Sequence, residues 1–398
     1  MRNIAEAAGK IAEKVIEWRR ELHMIPELSH ELPNTADYIV RKLESIGVDS
    51  IIRDVGILGN GVKSSGVIAE VRGELAGKTL AIRADMDALP VNEEVDLPFA
   101  SKNGNMHACG HDAHAAMLLG VAELLAERRK ELAGKVRFIF QPAEETMNGA
   151  NCMILDGALD GVDEIIGIHT GTVFKEGKPG SIGFRTGGLM ASTDKFIVLF
   201  KGKGGHGAMP NLSIDPVLMA CQAVCQLQSL ISREISPLSP AVITVGMING
   251  GSAFNIIPDT VRIEGTLRTL SPELRKYLID RITATVDSVA RSMRGQMEIK
   301  IIPGCEVVYN NGEVVERMVR IAKGMLGEDM VCEISEPTMG GEDFSAFLEK
   351  VKGAFFFHNG SFGDERDIPH HNPKFQLNES ALWSGVAVMT AYALTWQQ

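Results

Sequence analysis

Apolar residues recur at two different periods along the first half of the chain. Ile11, Val15, Trp18 and Leu22 stand at helical spacing, which predicts an amphipathic helix. Asn34 is placed to cap a second helix that Gly47 closes. VIAEVRG and TLAIRADMD then read as strands, HDAHAAMLLGVAELLAERR as a helix, and KVRFIFQP and EIIGIH as further buried strands. Strands that alternate with helices in this way predict an α/β fold, a mostly parallel sheet covered by helices.

From about Lys195 the pattern changes. DKFIVLFKG reads as a strand and Ser213 to Ile231 as a helix with Pro216 in its first turn. AVITVGMI and DTVRIEGTLRT are two strands joined by a loop of Gly, Asn and Pro; Pro272 to Met293 is a helix and QMEIKII a strand. This β-α-β-β-α-β order is the ferredoxin-like motif. The alternating pattern then resumes, with helices expected near 312–326, 342–350 and 378–396. The expected organisation is therefore a discontinuous domain, 1–188 and 302–398, interrupted by an inserted α+β lid and dimerisation domain at 189–301.

Composition narrows the class. With 398 residues, 45% hydrophobic and 23% charged, the chain has room for roughly two to three domains of about 150 residues. Lys+Arg 40 against Asp+Glu 51 leaves a net charge of −11, which repels phosphate backbones and anionic lipid, so neither nucleic acid nor membrane is expected as a partner. MRNIAEAAGKIAEK is charged and amphipathic rather than signal-like. Six cysteines form no CxxC pair, so a disulfide framework is not expected and a cytoplasmic setting is.

The chemistry gathers where the strand patterns stop, which is where an open α/β sheet binds ligands. Asp85 and Asp87 follow LAIRA, Glu144 and Glu145 follow VRFIFQPA, and His169 ends EIIGI. MHACGHDAH packs three His, one Cys and one Asp into nine residues. Cys109 and His111, placed just before a long helix, can aim thiolate and imidazole at one point. A zinc-finger half-site would need a second Cys/His pair nearby, and the sequence has none. These soft and borderline donors favour zinc or another first-row divalent metal. His107 and His114 are expected to be structural or to stand behind the ligands. Glu144 and Glu145, read as neighbours at a strand end, point to opposite sides, so one can bind a cation while the other acts as a general base. His370 and His371 form an ambiguous pair in DIPHHNPKF, where a loop between prolines suits ligation. In the insert, KGKGGHGAMP sets His206 in a glycine-rich loop, GGSAFNIIPD offers Asn255, and GTLRT offers Arg268, whose guanidinium could hold a carboxylate.

Taken together, RRELHMIPELSHEL, RADMDALP, HACGHDAH, FQPAEE, GIH, GGHGAMP, FNIIPD, MGGEDFSAF and HNPKF resemble the zinc-dependent aminoacylase and carboxypeptidase superfamily. The similarity is to its branch of N-acyl-L-amino acid amidohydrolases, hippurate hydrolases and auxin-conjugate hydrolases, and it runs through nearly the whole chain. The resemblance implies a zinc-exopeptidase-like fold and two divalent metal ions per subunit, zinc first, with manganese, cobalt or nickel as alternatives. It implies Cys109, His111, Glu145, His169 and His371 as ligands and Glu144 as general acid and base. It also implies that His206 reaches the substrate carbonyl of a partner subunit, so that a homodimer through the lid, or a tetramer, forms the working unit. Asn255, Arg268 and Gly341 of the MGGEDF loop fall on the substrate side, and Asp85, Asp87 and Asp112 behind the ligands. The substrate implied is a small N-acyl amino acid. QPAEE is followed by Thr146-Met147-Asn148, where the branch carries glycines, and GIH by Thr170-Gly171; both departures bear on the substrate pocket. The rival readings are a dipeptidase or carboxypeptidase on the same scaffold, and a metal-binding protein without chemistry. The second has no need of a Glu144 beside the ligand.

Overall fold

The computed structural model describes residues 2–397. It divides into two compact units. One comprises the chain up to Leu189, Tyr309–Pro337 and the chain from Asp343 onward; the other comprises Met190–Val308 and Thr338–Glu342.

The larger unit is built on an eight-stranded mixed sheet. Its strands lie in the spatial order Ser50–Ile57, Lys63–Arg72, Ala133–Gln141, Leu75–Asp85, Glu164–Gly171, Gly353–Asn359, Ile182–Phe184 and Val331–Glu333. The four central strands, from Ala133–Gln141 to Gly353–Asn359, are mutually parallel, so their carboxyl ends open on one edge. Such strands are covered on both faces and read as continuous apolar runs; Glu164–Gly171 and Gly353–Asn359 are buried at every position. The helices His111–Glu127 and Leu382–Thr395 are apolar around nearly their full circumference, because each packs between the sheet and other helices.

Local expectations held to different degrees. The second helix closes at Gly47, whose φ of 77° is the left-handed conformation glycine tolerates. Its start is not capped by Asn34. Pro33 occupies the first turn, where its missing N–H costs nothing, and Glu27 reaches across to accept the N–H groups of Asn34 and Thr35 at 3.2 and 2.9 Å. The helix expected near 342–350 is the single turn Ser345–Leu348.

In the smaller unit, four antiparallel strands stand in the order Ala241–Gly250, Thr260–Thr269, Ser192–Lys201, Gln296–Pro303. The helices Pro216–Ser229 and Pro272–Ser292 bury Met219, Leu227, Ile282 and Val286 against Phe196, Val198 and Phe200 of that sheet. Among the described residues no helix is long and apolar enough to cross a membrane.

Candidate metal centre

The parallel strands deliver polar residues to one edge of the larger unit. Leu75–Asp85 ends on Asp85 and leads into Asp87; Ala133–Gln141 leads into Glu144 and Glu145; Glu164–Gly171 carries His169 two residues from its end. Gly110, at φ 86°, turns the chain so that His111 opens the next helix, and Cys109 precedes that turn. His371 arrives from a loop with its own backbone left-handed at φ 65°, pinned by its N–H donating to the Ala108 carbonyl at 2.8 Å.

Hydrogen bonding settles which ring nitrogens face inward. His111 Nδ1 donates to the Asp87 carbonyl at 2.9 Å, leaving Nε2 buried and without a hydrogen-bond partner. His169 Nδ1 donates to the Thr170 carbonyl at 3.1 Å, which leaves its Nε2 to accept from the Cys109 thiol at 3.5 Å. His114 differs. Its Nδ1 donates to Asp85 Oδ1 at 2.5 Å and its Nε2 accepts the Thr170 N–H at 2.7 Å, so both nitrogens are spent. His114 braces the strand end and has no lone pair for a cation.

The available donors stand at ligand spacing. His371 Nε2 lies 3.3 Å from Glu145 Oε1, and His111 Nε2 lies 3.9 Å from both Glu145 Oε1 and Glu144 Oε2. Cys109, Glu145 and His371 form one cluster of donors within 4.8 Å, Cys109, His169 and His370 a second, and His111, Glu144 and Glu145 a third. Atoms bound 2.0–2.3 Å from a tetrahedral ion are themselves about 3.3–3.8 Å apart, so the His371–Glu145 separation fits metal coordination and the two His111 separations lie just beyond it. Glu145 Oε1 is held by the His371 ion pair, whereas His111 Nε2 is buried without a hydrogen-bond partner. Leaving such an atom unsatisfied costs about 1–3 kcal/mol, a cost a cation would remove. The residues present therefore fit a pair of divalent ions.

The two glutamates do not divide their work by strand pleating. The strand stops at Gln141, and Ala143 takes a left-handed φ of 59°. The resulting turn brings both carboxylates toward His111 instead of sending them to opposite faces. Asp87 holds the turn by accepting the N–H groups of Glu144 and Glu145 at 3.0 and 3.1 Å. Burial sets the electrostatics. It pushes the Cys109 thiol up to about 12 and keeps His169 well below its ordinary value, with His114 and His370 adding to the effect. Asp85 stays ionised against burial because Arg83 lies beside it, with His111 and His114 helping.

Asp112 turns away from this cluster, to Arg19 Nε and His23 Nδ1, both at 2.7 Å. Sequence reading passed over Arg83, which is 2% exposed inside a strand. Its guanidinium donates to Gln141 at 2.8 Å, Asp85 at 2.6 Å and Asp343 at 3.0 Å, tying two strand ends to the loop before Ser345. A charged residue at a buried strand position was the available signal.

In the smaller unit, the two-residue strand Gly205–His206 pairs with Ile256–Ile257. Gly207 N–H donates to the Asn255 carbonyl at 2.9 Å, so His206 and Asn255 are brought side by side, both exposed. Arg268 donates to the Met339 carbonyl at 2.9 Å, two residues before Gly341.

Residues 81–395 match the model of peptidase family M20/M25/M40. The chain belongs to that family. Among its M20 relatives is the N-acetylcysteine deacetylase of Bacillus subtilis, 43% identical over 371 residues, which cover 93% of each chain. Thermostable carboxypeptidase 1 of Saccharolobus solfataricus is 38% identical over 94% of this chain and 93% of its own. The crystal structure of the YXEP protein of Bacillus subtilis, described as a dinuclear metal binding peptidase of the M20 family, superposes with a TM-score of 0.82 at 36% identity, covering 97% of this chain and 98% of that one.

Proposed function

We propose that this protein releases the acyl group from N-acyl amino acids, using two divalent cations per subunit. Family membership makes it a metallo-hydrolase of amide bonds. The observation that carries the narrower reading is the linked set of donors from Cys109, His111, Glu145, His169 and His371 with the Glu144 carboxylate beside them. Those five residues would hold the cations. Zinc is the first choice for thiolate and imidazole donors, with manganese, cobalt or nickel as alternatives. When bound, such cations polarise an amide carbonyl and bring the pKa of water toward neutrality.

Glu144, 5% exposed, takes the proton from the attacking water and hands it to the departing nitrogen, a role worth about 10²–10⁴-fold. His206 Nδ1 accepts the Ala208 N–H at 3.1 Å, so the neutral ring carries its proton on Nε2, outward, as a donor for the developing oxyanion. Asn255, Arg268 and Gly341 are assigned to the substrate side. The deacetylase relative, at 43% identity, supports small N-acyl amino acids such as N-acetylcysteine as substrates.

A second copy of the chain is part of the proposal, with a tetramer as its extension. The strand Ala241–Gly250 is a sheet edge; Val242 and Ile248 on it, and Leu218 on the helix packed nearby, are exposed. An unpaired edge beside exposed apolar side chains suits pairing with its own copy about a two-fold axis. Six free thiols suit the reducing cytoplasm.

The carboxypeptidase reading is kept because of the 38% identity to a thermostable carboxypeptidase. A panel of N-acetyl-, N-benzoyl- and indoleacetyl-amino acids against dipeptides, run on metal-loaded protein, decides between them. The highest kcat/KM is expected on the N-acyl amino acids. Turnover of dipeptides alone would move the assignment to peptide cleavage, and no hydrolysis of either class with metal bound would overturn it.

A further inference from the structure

His370 sits inside the cluster that also contains Cys109 and His169, one of its ring nitrogens within 4.8 Å of the sulfur and of a His169 nitrogen. Its position is built for. Gly171 has φ +143°, and a Cβ there would stand 2.1 Å from His370 Nε2, so the ring occupies space that only glycine leaves. His370 Nε2 accepts the Thr172 N–H at 3.2 Å. That bond fixes the tautomer, since a nitrogen that accepts a hydrogen bond carries no proton. The proton is therefore on Nδ1, which is buried and completes no hydrogen bond.

A buried N–H without an acceptor is costly and uncommon. His370 Nδ1 also cannot bind a cation while it keeps its proton, and Nε2 is occupied. Cys109 offers two acceptors close by. Its carbonyl acts on the ring as a weak acceptor, short of a completed hydrogen bond with Nδ1. Its sulfur gains a full negative charge only when a cation displaces the thiol proton, and a thiolate is a good acceptor.

We infer that His370 is a positioning residue for the metal centre: its Nδ1–H donates to the Cys109 thiolate once the cations are bound, tuning how much charge the sulfur gives them. This rests on the assignment of Cys109 as a ligand. It also accounts for two histidines in sequence with different duties, His371 paired with Glu145 and His370 lodged beside Cys109 and Gly171. Hydrogen bonds to metal-bound groups set donor strength and orientation in this way.

The test uses the full-length protein loaded with Co²⁺, reading cobalt stoichiometry together with the near-ultraviolet sulfur-to-cobalt charge-transfer band. An N–H···S bond lowers the energy of the sulfur electrons. His370→Leu should therefore bind the same number of cobalt ions but move the band to longer wavelength. His370→Asn, whose amide nitrogen falls near the position of Nδ1, should keep the band close to wild type. An unshifted band in a fully loaded His370→Leu protein would overturn the inference. So would loss of one cobalt ion, which would make the ring a ligand. Should the leucine variant not fold, ¹¹³Cd-loaded wild type serves: scalar coupling between cadmium and the Nδ1 proton is expected, and its absence, or direct coupling of a His370 nitrogen to cadmium, rejects the inference. A wild type that takes up neither metal would instead remove Cys109 as a ligand, a failure distinguishable from an unshifted band.

Discussion

Asp87 Oδ1 accepts the backbone N–H of Glu144 at 3.0 Å. Its other oxygen takes the next N–H, of Glu145, while its carbonyl accepts from His111. One residue thus fixes the turn that carries the proposed base and orients a proposed ligand. Asp87→Ala should weaken metal binding about 10–100-fold, the usual effect of removing a group that orients ligands. Competition with a chromophoric chelator measures this. Affinity within threefold of wild type would show that the turn holds without it.

Glu144 and Glu145 should separate in their effects. Glu144→Gln keeps the shape but cannot accept a proton, so kcat should fall about 10²–10⁴-fold with metal content unchanged. Glu145→Gln should lose metal and activity together. Atomic spectroscopy beside steady-state kinetics reads both, and equal metal loss in the two variants would undo the division of roles.

Metal uptake should be coupled to proton release. Burial holds the Cys109 thiol up near 12, so at neutral pH the apo-protein carries the proton that a cation must displace. Affinity should then rise with pH, by about tenfold per unit for each proton released, below the point where the thiol ionises unaided. Calorimetry in buffers of differing ionisation enthalpy counts the protons; a count of zero at pH 7 would contradict a thiolate ligand.

Acid should destabilise the fold through a histidine away from the donor set. His358 is fully buried, accepts from Thr170 Oγ1 at 2.7 Å, and gives its Nε2 proton to Ser384 Oγ and the Ala381 carbonyl. Burial pushes its pKa down to about 4 from 6.5. A depressed histidine pKa means that the unfolded chain binds the proton first. The stability due to the neutral ring is therefore complete above about pH 6.5 and lost as pH falls toward 4, on the order of 3 kcal/mol. Urea unfolding from pH 7 to 4 should show a shallower decline in His358→Gln than in wild type; identical slopes would reject this.

A shared site predicts rescue by mixing. If His206 serves the neighbouring subunit, exchanging subunits between Glu144→Gln and His206→Ala proteins gives hybrids in which one site bears both lesions and the other none. Recovery should approach about a quarter of wild-type activity for random two-subunit assembly. No recovery after demonstrated exchange would confine His206 to its own chain.

Much of the fold was legible because the strand and helix periods of this sequence are strong, and the Cys109-x-His111 motif stands out by composition alone. What escaped were contacts that only the folded chain creates. Arg83 meets Asp343 across 260 positions, and Gly171 makes room for His370; neither pairing leaves a periodic trace. The glutamates were misjudged for another reason: pleating governs side-chain direction only while the strand lasts, and a left-handed Ala143 ends it. His370 and His371 differ in a contact that no spacing encodes, the Thr172 amide donating to His370 Nε2.

The proposed ligands reach from Cys109 to His371, so a captured cation would cross-link distant stretches of polypeptide. Such a clasp stabilises the native state in proportion to the logarithm of free metal over its dissociation constant. In a cell starved of that metal the loss would extend past turnover: newly made chains would lack the clasp, open more often, and meet proteases sooner. Abundance of the protein should then follow the supply of the ion.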